Sequence, residues 1–341
     1  MLSNVMKYFR VREWYDSKIP MMLSVFMYFY FLDPKQYGVE QFLYRFFSYF
    51  LYLAAFLAFS YLINDYSDMD IDRKAGKKKV ILHVPKWMVV ASMTGLILVG
   101  NLPLLVLVDW NTICILLSIV IYFLGAAYSV KGLRFKEKGA IGLVECSIAQ
   151  KCVPVLLVPF LVEVETVLFV IWMVLLFVDG MRYIIIHQVI DLENDLKTGV
   201  KTYISSGKSL YKNAMFAEIF LELVLICLLF SKIVLEHWIL WLFIICYLVN
   251  EAIIGTVICV YLKKKWLFTY EAVPMEDLFN VYMPILLLVG IAVSYPIVWS
   301  VVPVAMIYLY GGFKSKMVFI NIFVKAKLHI SQKEGQDGNH L

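Results

Sequence analysis

Long, unbroken apolar segments restrict the fold of this chain more than any other feature. A helix that crosses a lipid bilayer needs roughly 20 apolar residues, or somewhat fewer at the short limit. Such segments are expected to be helical, because backbone polar groups must be satisfied internally within lipid. The sequence therefore predicts an all-α, multi-pass membrane protein with nine or ten transmembrane helices. The segments are 19–32, 41–63, 87–108, 111–127, 140–162, 166–189, 214–231, 236–262, 278–293 and 297–312.

The composition supports this class and excludes two others. Hydrophobic residues make up 62% of the 341 residues and charged residues only 17%, whereas soluble domains are nearer half apolar and a quarter charged. A disordered chain is excluded, because aromatic residues alone account for 16%. A nucleic-acid partner is not expected, because no soluble basic domain carries the net charge of +5.

Basic residues are distributed unevenly between the predicted loops. The loops at 64–86, 128–138, 191–212 and 263–277 contain 17 Lys and Arg residues, and the intervening loops contain 2. Since basic loops stay in the cytoplasm, we expect an integral protein of the cytoplasmic membrane, surrounded by membrane lipid. Its N-terminus and these four loops would be cytoplasmic. We expect residues 1–330 to form a single transmembrane domain, followed by a disordered polar tail at 331–341.

Two acidic motifs follow predicted spans on this cytoplasmic side. Asn64, Asp68 and Asp72 lie four residues apart in the first motif, and Asp191 and Asp195 lie four apart in the second. If the helices continue, each set shares one helix face. Like charges at this spacing repel each other, so packing does not explain them, whereas a bound cation does. Mg²⁺ is typically held by one or two carboxylates together with substrate phosphates.

The two motifs are copies of a longer repeat. Both read D-x3-D-x-K-x-G-x-K, and the second copy begins 123 residues after the first. Internal repeats in membrane proteins often build a shared site at their interface. The carboxylates could hold Mg²⁺, the metal could hold a diphosphate, and the lysines could neutralise its remaining oxygens. This interpretation accounts for every part of the pattern. A pair of solvated acidic loops is the competing interpretation, and the repetition argues against it.

A third cytoplasmic loop, YSVKGLRFKEK at 128–138, lies between the two motifs. As an isolated feature it is typical of a loop that only sets membrane orientation. Next to the acidic motifs it is also a candidate phosphate-binding loop. Arg134 can hold phosphate oxygens through two hydrogen bonds, whereas Lys131 and Lys136 act as point charges.

Together these motifs resemble those of the UbiA family of intramembrane prenyltransferases. The first family signature, NDxxDxxxD, is matched at every position by Asn64, Asp65, Asp68 and Asp72. The second signature, DxxxD with a D-x-x-G-V-K-T continuation, is similar to residues 191–202.

The intervening loop is similar to the YSxPPLRLKxxG stretch of the branch that contains chlorophyll synthase. Two departures stand out: Lys131-Gly132 replaces Pro-Pro, and Lys78-Lys79-Val80 lies where Arg-Pro commonly follows the first motif. These differences concern the subfamily and the acceptor more than the chemistry.

The resemblance implies about nine helices around a central cavity and Mg²⁺-dependent transfer of an isoprenyl group from its diphosphate to a lipophilic or aromatic acceptor. It implies that Asp68, Asp72, Asp191 and Asp195 are catalytic and bind the metal ions together with Asn64. The candidate substrate-binding residues are Arg73, Tyr128, Lys131, Arg134, Lys136 and Lys201.

Two other functions remain open. A membrane terpene cyclase of the same superfamily would use the donor without an acceptor, but such cyclases tend to have a degenerate first motif, and this one is intact. A non-enzymatic cation carrier needs polar residues along a whole path, whereas the acidic clusters here lie on one side of the predicted membrane.

Several charged residues fall inside the predicted spans, where charge is costly and indicates function by default. Glu145, Lys151 and Glu251 either line an acceptor pocket or pair structurally. Structural pairing is the competing explanation for these charges, for instance between Asp179 and Arg182, which are three residues apart.

Overall fold

The computed structural model describes residues 2–33, 37–74, 76, 78–135, 138–198, 202–205, 211–236, 239–256 and 275–310, and over this part of the chain it contains helices and turns but no strand. Two π-helical turns, Ile148–Cys152 and Leu278–Tyr282, interrupt the regular helices. The α-helices are α1 (Leu2–Tyr8), α2 (Ile19–Leu32), α3 (Val39–Lys74), α4 (Lys86–Leu107), α5 (Thr112–Ala127), α6 (Ala140–Ser147), α7 (Thr166–Thr198), α8 (Tyr211–Glu236), α9 (Ile239–Thr256), α10 (Met283–Ser294) and α11 (Val302–Tyr310).

The described part of each predicted apolar span is largely helical, which confirms the all-α membrane class. Four described stretches are long and apolar enough to cross a bilayer: Val39–Asp70, Lys86–Leu107, Ala140–Phe160 and Thr166–Val189. The shorter apolar helical stretches are Ile19–Leu32, Thr112–Ala127, Ile244–Ile253, Leu278–Ser294 and Pro296–Met306. The number of crossings and their orientation stay predictions, and the predicted tail at 331–341 lies outside the described residues.

Helices α3 and α7 are much longer than their apolar segments. α3 has 36 residues and α7 has 33, so each continues past the membrane span into its acidic motif. This confirms the condition on which a shared face for Asn64, Asp68 and Asp72 depends. α3 ends just before Gly76, whose φ of 66° lies in the left-handed region that glycine adopts readily.

Helix α2 forms the centre of the bundle. Its residues from Ile19 to Tyr30 are all buried, and it packs against α3 and α10. The Tyr28 hydroxyl donates a hydrogen bond of 2.6 Å to the Leu229 carbonyl of α8. On α4 and α5, large apolar side chains such as Leu98 and Phe123 are exposed, as expected where a helix faces lipid.

A buried ionic network connects three segments inside the bundle. Asp179 of α7 accepts hydrogen bonds from Arg182 at 2.7 Å and pairs with Lys151 at 2.8 Å. Arg182 also donates from Nε to Glu222 of α8 at 2.8 Å. These side chains are 0% to 6% exposed. For Asp179, Arg182 and Lys151 the structure therefore supports the alternative of structural pairing.

Candidate active site

The first acidic motif lies on the last turns of α3. Asp65 and Asp72 are buried, with 4% and 2% exposure, and Asn64 and Asp68 are half-buried. Buried carboxylates are costly unless charged or hydrogen-bonding groups compensate them. The surrounding cations therefore decide what this helix end can do.

Lys79, on the short turn that follows α3, provides the closest of these cations. Its ammonium nitrogen lies 2.6 Å from Oδ1 of Asp65 and 2.7 Å from Oδ2 of Asp72. Burial disfavours the ammonium form, but the two carboxylates outweigh burial and raise the pKa of Lys79 above its ordinary value. Lys79 falls where the sequence departs from the family pattern, and it was not among the predicted site residues.

Arg10 reaches the same cluster from the N-terminal segment. Its Nη1 donates to Oδ1 of Asp65 at 3.2 Å, and its Nε donates to Glu13 at 2.7 Å. The guanidinium lies 4.9 Å from the centre of the Tyr61 ring. The Tyr61 hydroxyl in turn donates to the Glu13 carbonyl at 3.2 Å. These contacts hold the N-terminal segment against the acidic end of α3. They were not predicted from any sequence motif.

The 128–138 loop contacts the motif from the opposite side. Ser129 donates through its hydroxyl to Oδ1 of Asn64 at 2.8 Å, and Arg134 donates from Nη2 to Oδ1 of Asp68 at 3.1 Å. The expected proximity of Arg134 to the acids is therefore present. Lys131 points elsewhere, because it lies 3.6 Å from Asp70 in a pair in which both side chains are more than 60% exposed.

Asn64 also lines a cavity of about 100 Å³. Tyr128 lines it, and so does Lys18, which donates a hydrogen bond to Oε1 of Gln150 and lies 5.1 Å from the centre of the Tyr61 ring. The remaining lining residues are mainly small or apolar: Phe56, Leu57, Ser60, Gly125, Cys146 and Ala149. The cavity thus combines one cation, aromatic faces and an apolar wall directly beside the acidic motif.

The second acidic motif lies on α7, whose helix continues through Asp191 and Asp195 to Thr198. The two residues therefore share a helix face, as predicted. Their side chains, and all of Lys136 and Lys201, lie outside what the structure describes. Arg73 is exposed at the end of α3.

The chemistry of the described donor set fits a hard divalent cation. Carboxylate and amide oxygens from Asn64, Asp68 and Asp72 share one helix face, and such oxygens are the ligands that Mg²⁺ prefers. The ammonium group of Lys79 lies between Asp65 and Asp72, so these carboxylates already bind a cation. Within the described ranges no group of three or more His, Cys, Asp or Glu side chains is arranged as a complete metal site.

Solved structures share this fold. A UbiA homologue from Archaeoglobus fulgidus bound to Cd²⁺ is 16% identical, with a TM-score of 0.57 and coverage of 87% of this chain and 99% of that chain. A UbiA homologue from Archaeoglobus fulgidus bound to GPP and Mg²⁺ is also 16% identical, with a TM-score of 0.56 and coverage of 87% of this chain and 99% of that chain. An apo UbiA homologue from Aeropyrum pernix K1 is 16% identical, with a TM-score of 0.51 and coverage of 80% of this chain and 97% of that chain.

Sequence comparison is consistent with the shared fold. No curated protein sequence matches the chain significantly. The model of the UbiA prenyltransferase family, in contrast, matches residues 22–266, which contain both acidic motifs and the loop between them. Since this match spans most of the chain, the protein belongs to the UbiA prenyltransferase family.

Proposed function

We propose that this protein is an intramembrane prenyltransferase that moves an isoprenyl group from its diphosphate to a lipophilic or aromatic acceptor. The observation that carries the proposal is the end of α3, where Asp65 and Asp72 hold the Lys79 ammonium and Asp68 holds Arg134. A departing diphosphate requires positive charge held in place beside an apolar cavity, and carboxylates can hold the metal that supplies part of that charge. An Archaeoglobus fulgidus homologue of the same fold has been solved with GPP and Mg²⁺ bound.

In this proposal the metal ions are held by Asn64, Asp68 and Asp72 of α3 and by Asp191 and Asp195 of α7. Mg²⁺, when bound there, supplies positive charge that stabilises the departing diphosphate. The donor set of α3 fits such an ion, because its oxygens share one face and already hold cationic side chains.

The protein's own cations are proposed to bind the diphosphate oxygens. Arg134 offers a planar fork of N–H donors that matches phosphate oxygens in pairs. Arg73, Lys131, Lys136 and Lys201 are proposed to add positive charge, and Tyr128 to position the donor head. Such preorganised charge lowers the barrier for breaking the allylic C–O bond, because the negative charge develops on oxygens that are already neutralised.

The cavity beside Asn64 is proposed to receive the allylic carbon. Its wall includes Phe56 and Leu57, which exclude water from a carbocation that water would otherwise quench. The rings of Tyr61 and Tyr128 border the same space, and aromatic faces attract positive charge.

Diphosphate release by purified protein in nanodiscs tests this function. Geranyl, farnesyl and geranylgeranyl diphosphates would each be offered with Mg²⁺ or EDTA, with and without an aromatic acceptor. The variant Asp68→Ala plus Asp191→Ala should abolish release. Asp70→Ala is the matched control, because Asp70 is an exposed acid on the same helix.

Metal-dependent release that rises with the acceptor and yields a prenylated product would support transfer. Release without acceptor, yielding a cyclic product, would indicate a terpene cyclase instead. No release with any donor, in protein whose folding is verified, would overturn the enzyme proposal.

A further inference from the structure

A groove of about 390 Å³ lies on the surface of the bundle, separate from the cavity of the candidate active site. Helix α3 lines it with Ile63, Tyr66, Ser67 and Asp70. These residues follow one another at helical spacing, so they share one side of α3. The acidic motif projects from the other side of the same helix. The groove therefore faces the surroundings of the protein rather than its active site.

The groove lies at the boundary of the membrane. Asp70 is the last residue of the candidate span Val39–Asp70, and Lys86 is the first residue of the next one, Lys86–Leu107. Both line the groove. Trp87, the neighbour of Lys86 in sequence, is 71% exposed, and tryptophan is enriched at the level of the lipid headgroups. Further along α4, exposed apolar side chains extend this surface from the headgroup level into the hydrocarbon layer.

The charges of the groove favour an anion. Two lysines and one aspartate line it, which leaves a net charge of +1. The ammonium nitrogen of Lys131 lies 3.6 Å from Oδ2 of Asp70, and both side chains are more than 60% exposed. Such an exposed pair contributes little stability and is easily exchanged for another partner. Lys86 is exposed and pairs with no carboxylate in the part of the chain that the structure describes.

We propose that this groove binds the headgroup of one anionic glycerophospholipid, with its phosphodiester between Lys86 and Lys131. The single negative charge of a phosphodiester neutralises the groove, and the hydroxyls of Tyr66 and Ser67 can donate hydrogen bonds to the phosphate oxygens. Basic pockets between transmembrane helices bind anionic headgroups in this manner. The lipid's acyl chains would lie along the exposed apolar side of α4. The inference does not depend on the proposed function.

Other occupants match the groove less well. A phosphatidylcholine headgroup has no net charge and would bring its quaternary ammonium close to the two lysines. A soluble phosphate ester would match the lysines, but it would leave Trp87 and the apolar surface of α4 without a partner. Phosphatidylglycerol, which has one net negative charge and two acyl chains, satisfies both parts of the surface.

Native mass spectrometry of the full-length protein in detergent tests the proposal, without donor and without metal. Phosphatidylglycerol and phosphatidylcholine with identical acyl chains would be titrated, and the dissociation constant of the first bound lipid compared. The variant is Lys86→Gln plus Lys131→Gln. Its matched control is Lys7→Gln plus Lys138→Gln, which removes the same charge from exposed lysines elsewhere. sn-Glycerol 3-phosphate serves as the soluble competitor, and phosphatidylethanolamine as a second zwitterionic lipid.

We expect wild type and the control variant to bind phosphatidylglycerol about 10-fold or more tightly than phosphatidylcholine, since each lysine near an anionic lipid contributes about 5-fold. The Lys86→Gln plus Lys131→Gln variant should reduce this preference to about 2-fold or less. Equal binding of the two lipids by wild type, equal losses in both double variants, or tighter binding of phosphatidylethanolamine would overturn the proposal. Displacement of the lipid by millimolar glycerol phosphate would indicate a soluble phosphate ester instead and would also overturn it.

Asp70→Asn provides a test that misfolding cannot imitate. The substitution removes the carboxylate that competes for Lys131, so affinity for phosphatidylglycerol should rise about 3- to 5-fold. If the double lysine variant does not fold, this measurement decides, and unchanged or weaker binding by Asp70→Asn refutes the proposal. Lys86→Arg plus Lys131→Arg keeps both charges and should keep the preference for the anionic lipid.

Photochemical crosslinking locates the bound lipid independently. A phosphatidylglycerol with a diazirine near its glycerol backbone would be activated in nanodiscs, and the labelled peptides identified by mass spectrometry. Labelling should concentrate in residues 63–70, 86–90 and 128–133, and unlabelled phosphatidylglycerol should suppress it more than phosphatidylcholine does. Labelling concentrated elsewhere would refute the assignment. Since neither measurement uses an isoprenyl diphosphate, their failure would leave the proposed function standing, and failure of transfer would leave them interpretable.

Discussion

The ammonium nitrogen of Lys79 lies 2.7 Å from Oδ2 of Asp72, the last acid of the first motif. It lies equally close to Asp65, at 2.6 Å, so one lysine neutralises two buried carboxylates. The lysine is also at the place where the family's usual Arg-Pro is missing. A cation therefore occupies the position at which this sequence departs from the family pattern. Any metal that binds Asp72 must share this carboxylate with Lys79 or displace the lysine.

Lys79→Met should make the fold depend on added metal. Without the ammonium, Asp65 and Asp72 lose a close cationic partner, and removing one member of a buried charged pair typically costs about 3–5 kcal/mol, less where the partner is partly exposed. Mg²⁺ should then raise the thermal midpoint of the variant more than that of wild type. The control is Lys86→Met at an exposed lysine. An equal response to Mg²⁺ in both proteins would contradict the prediction.

The Lys79 contacts should also make the stability of the fold depend on pH in the alkaline range. A pKa that is raised in the folded state means that the stabilisation is complete below the unfolded value, 10.5, and is lost as pH rises through the folded value. The difference in thermal midpoint between wild type and Lys79→Met should therefore be constant at neutral pH and shrink above about pH 10.5. A difference that grows in this range would contradict the assignment.

Arg134 and Lys131 lie on the same loop, but they should contribute unequally to binding of the isoprenyl diphosphate donor. Arg134 contacts Asp68 at 3.1 Å, whereas Lys131 forms an exposed pair with Asp70. Exposed pairs contribute little, and charge-assisted hydrogen bonds are about twice as strong as neutral ones. Arg134→Gln should weaken donor binding by about 10-fold or more, one power of ten being about 1.4 kcal/mol.

Calorimetric titration of protein with geranyl diphosphate and Mg²⁺ measures this difference. Lys131→Gln serves as the matched loss of one positive charge, with an expected change of less than about 3-fold. Equal losses for the two variants would mean that only the net charge of the loop matters.

Asp65 should hold the N-terminal segment on the site. It accepts from Arg10 at 3.2 Å, and Asp65→Asn weakens this contact while keeping the shape of the side chain. We expect faster hydrogen exchange in residues 2–18 of this variant, observed by mass spectrometry. Asp70→Asn is the control, and it should leave exchange in this segment unchanged. Unchanged exchange in Asp65→Asn would show that Tyr61 and other contacts suffice.

The helices and part of the site could be predicted from the sequence, because both follow local rules. Apolar runs determine α2 to α5 and α7, and helical spacing places Asn64, Asp68 and Asp72 on one face. The pairing of Asp179 with Arg182 follows from the same spacing. These features depend on residues close in the chain, for which periodicity is a sufficient guide.

The cations beside Asp65 could not be predicted in this way. Arg10 lies 55 residues from Asp65 on an irregular segment, and its own φ of 50° is uncommon for a residue with a side chain. Lys79 reaches back across a turn that ends α3 at Gly76. The span at 140–162 likewise reads as one helix, although a π-helical turn and a 3₁₀ segment with Pro154 and Pro159 follow α6.

The buried network around Asp179 and Arg182 has a consequence for how the chain is assembled during synthesis. Each unpaired charge at the centre of a bilayer costs about 2.5–3.5 kcal/mol by insertion measurements. α7 brings Asp179 and Arg182 together, whereas Lys151 precedes it and Glu222 follows it, each on a segment of its own. If the helices enter the membrane in the order of synthesis, we expect Lys151 to be unpaired until α7 is inserted, and Glu222 to meet an Arg182 that is already present. Insertion of α7 would then be the step that neutralises both neighbouring segments.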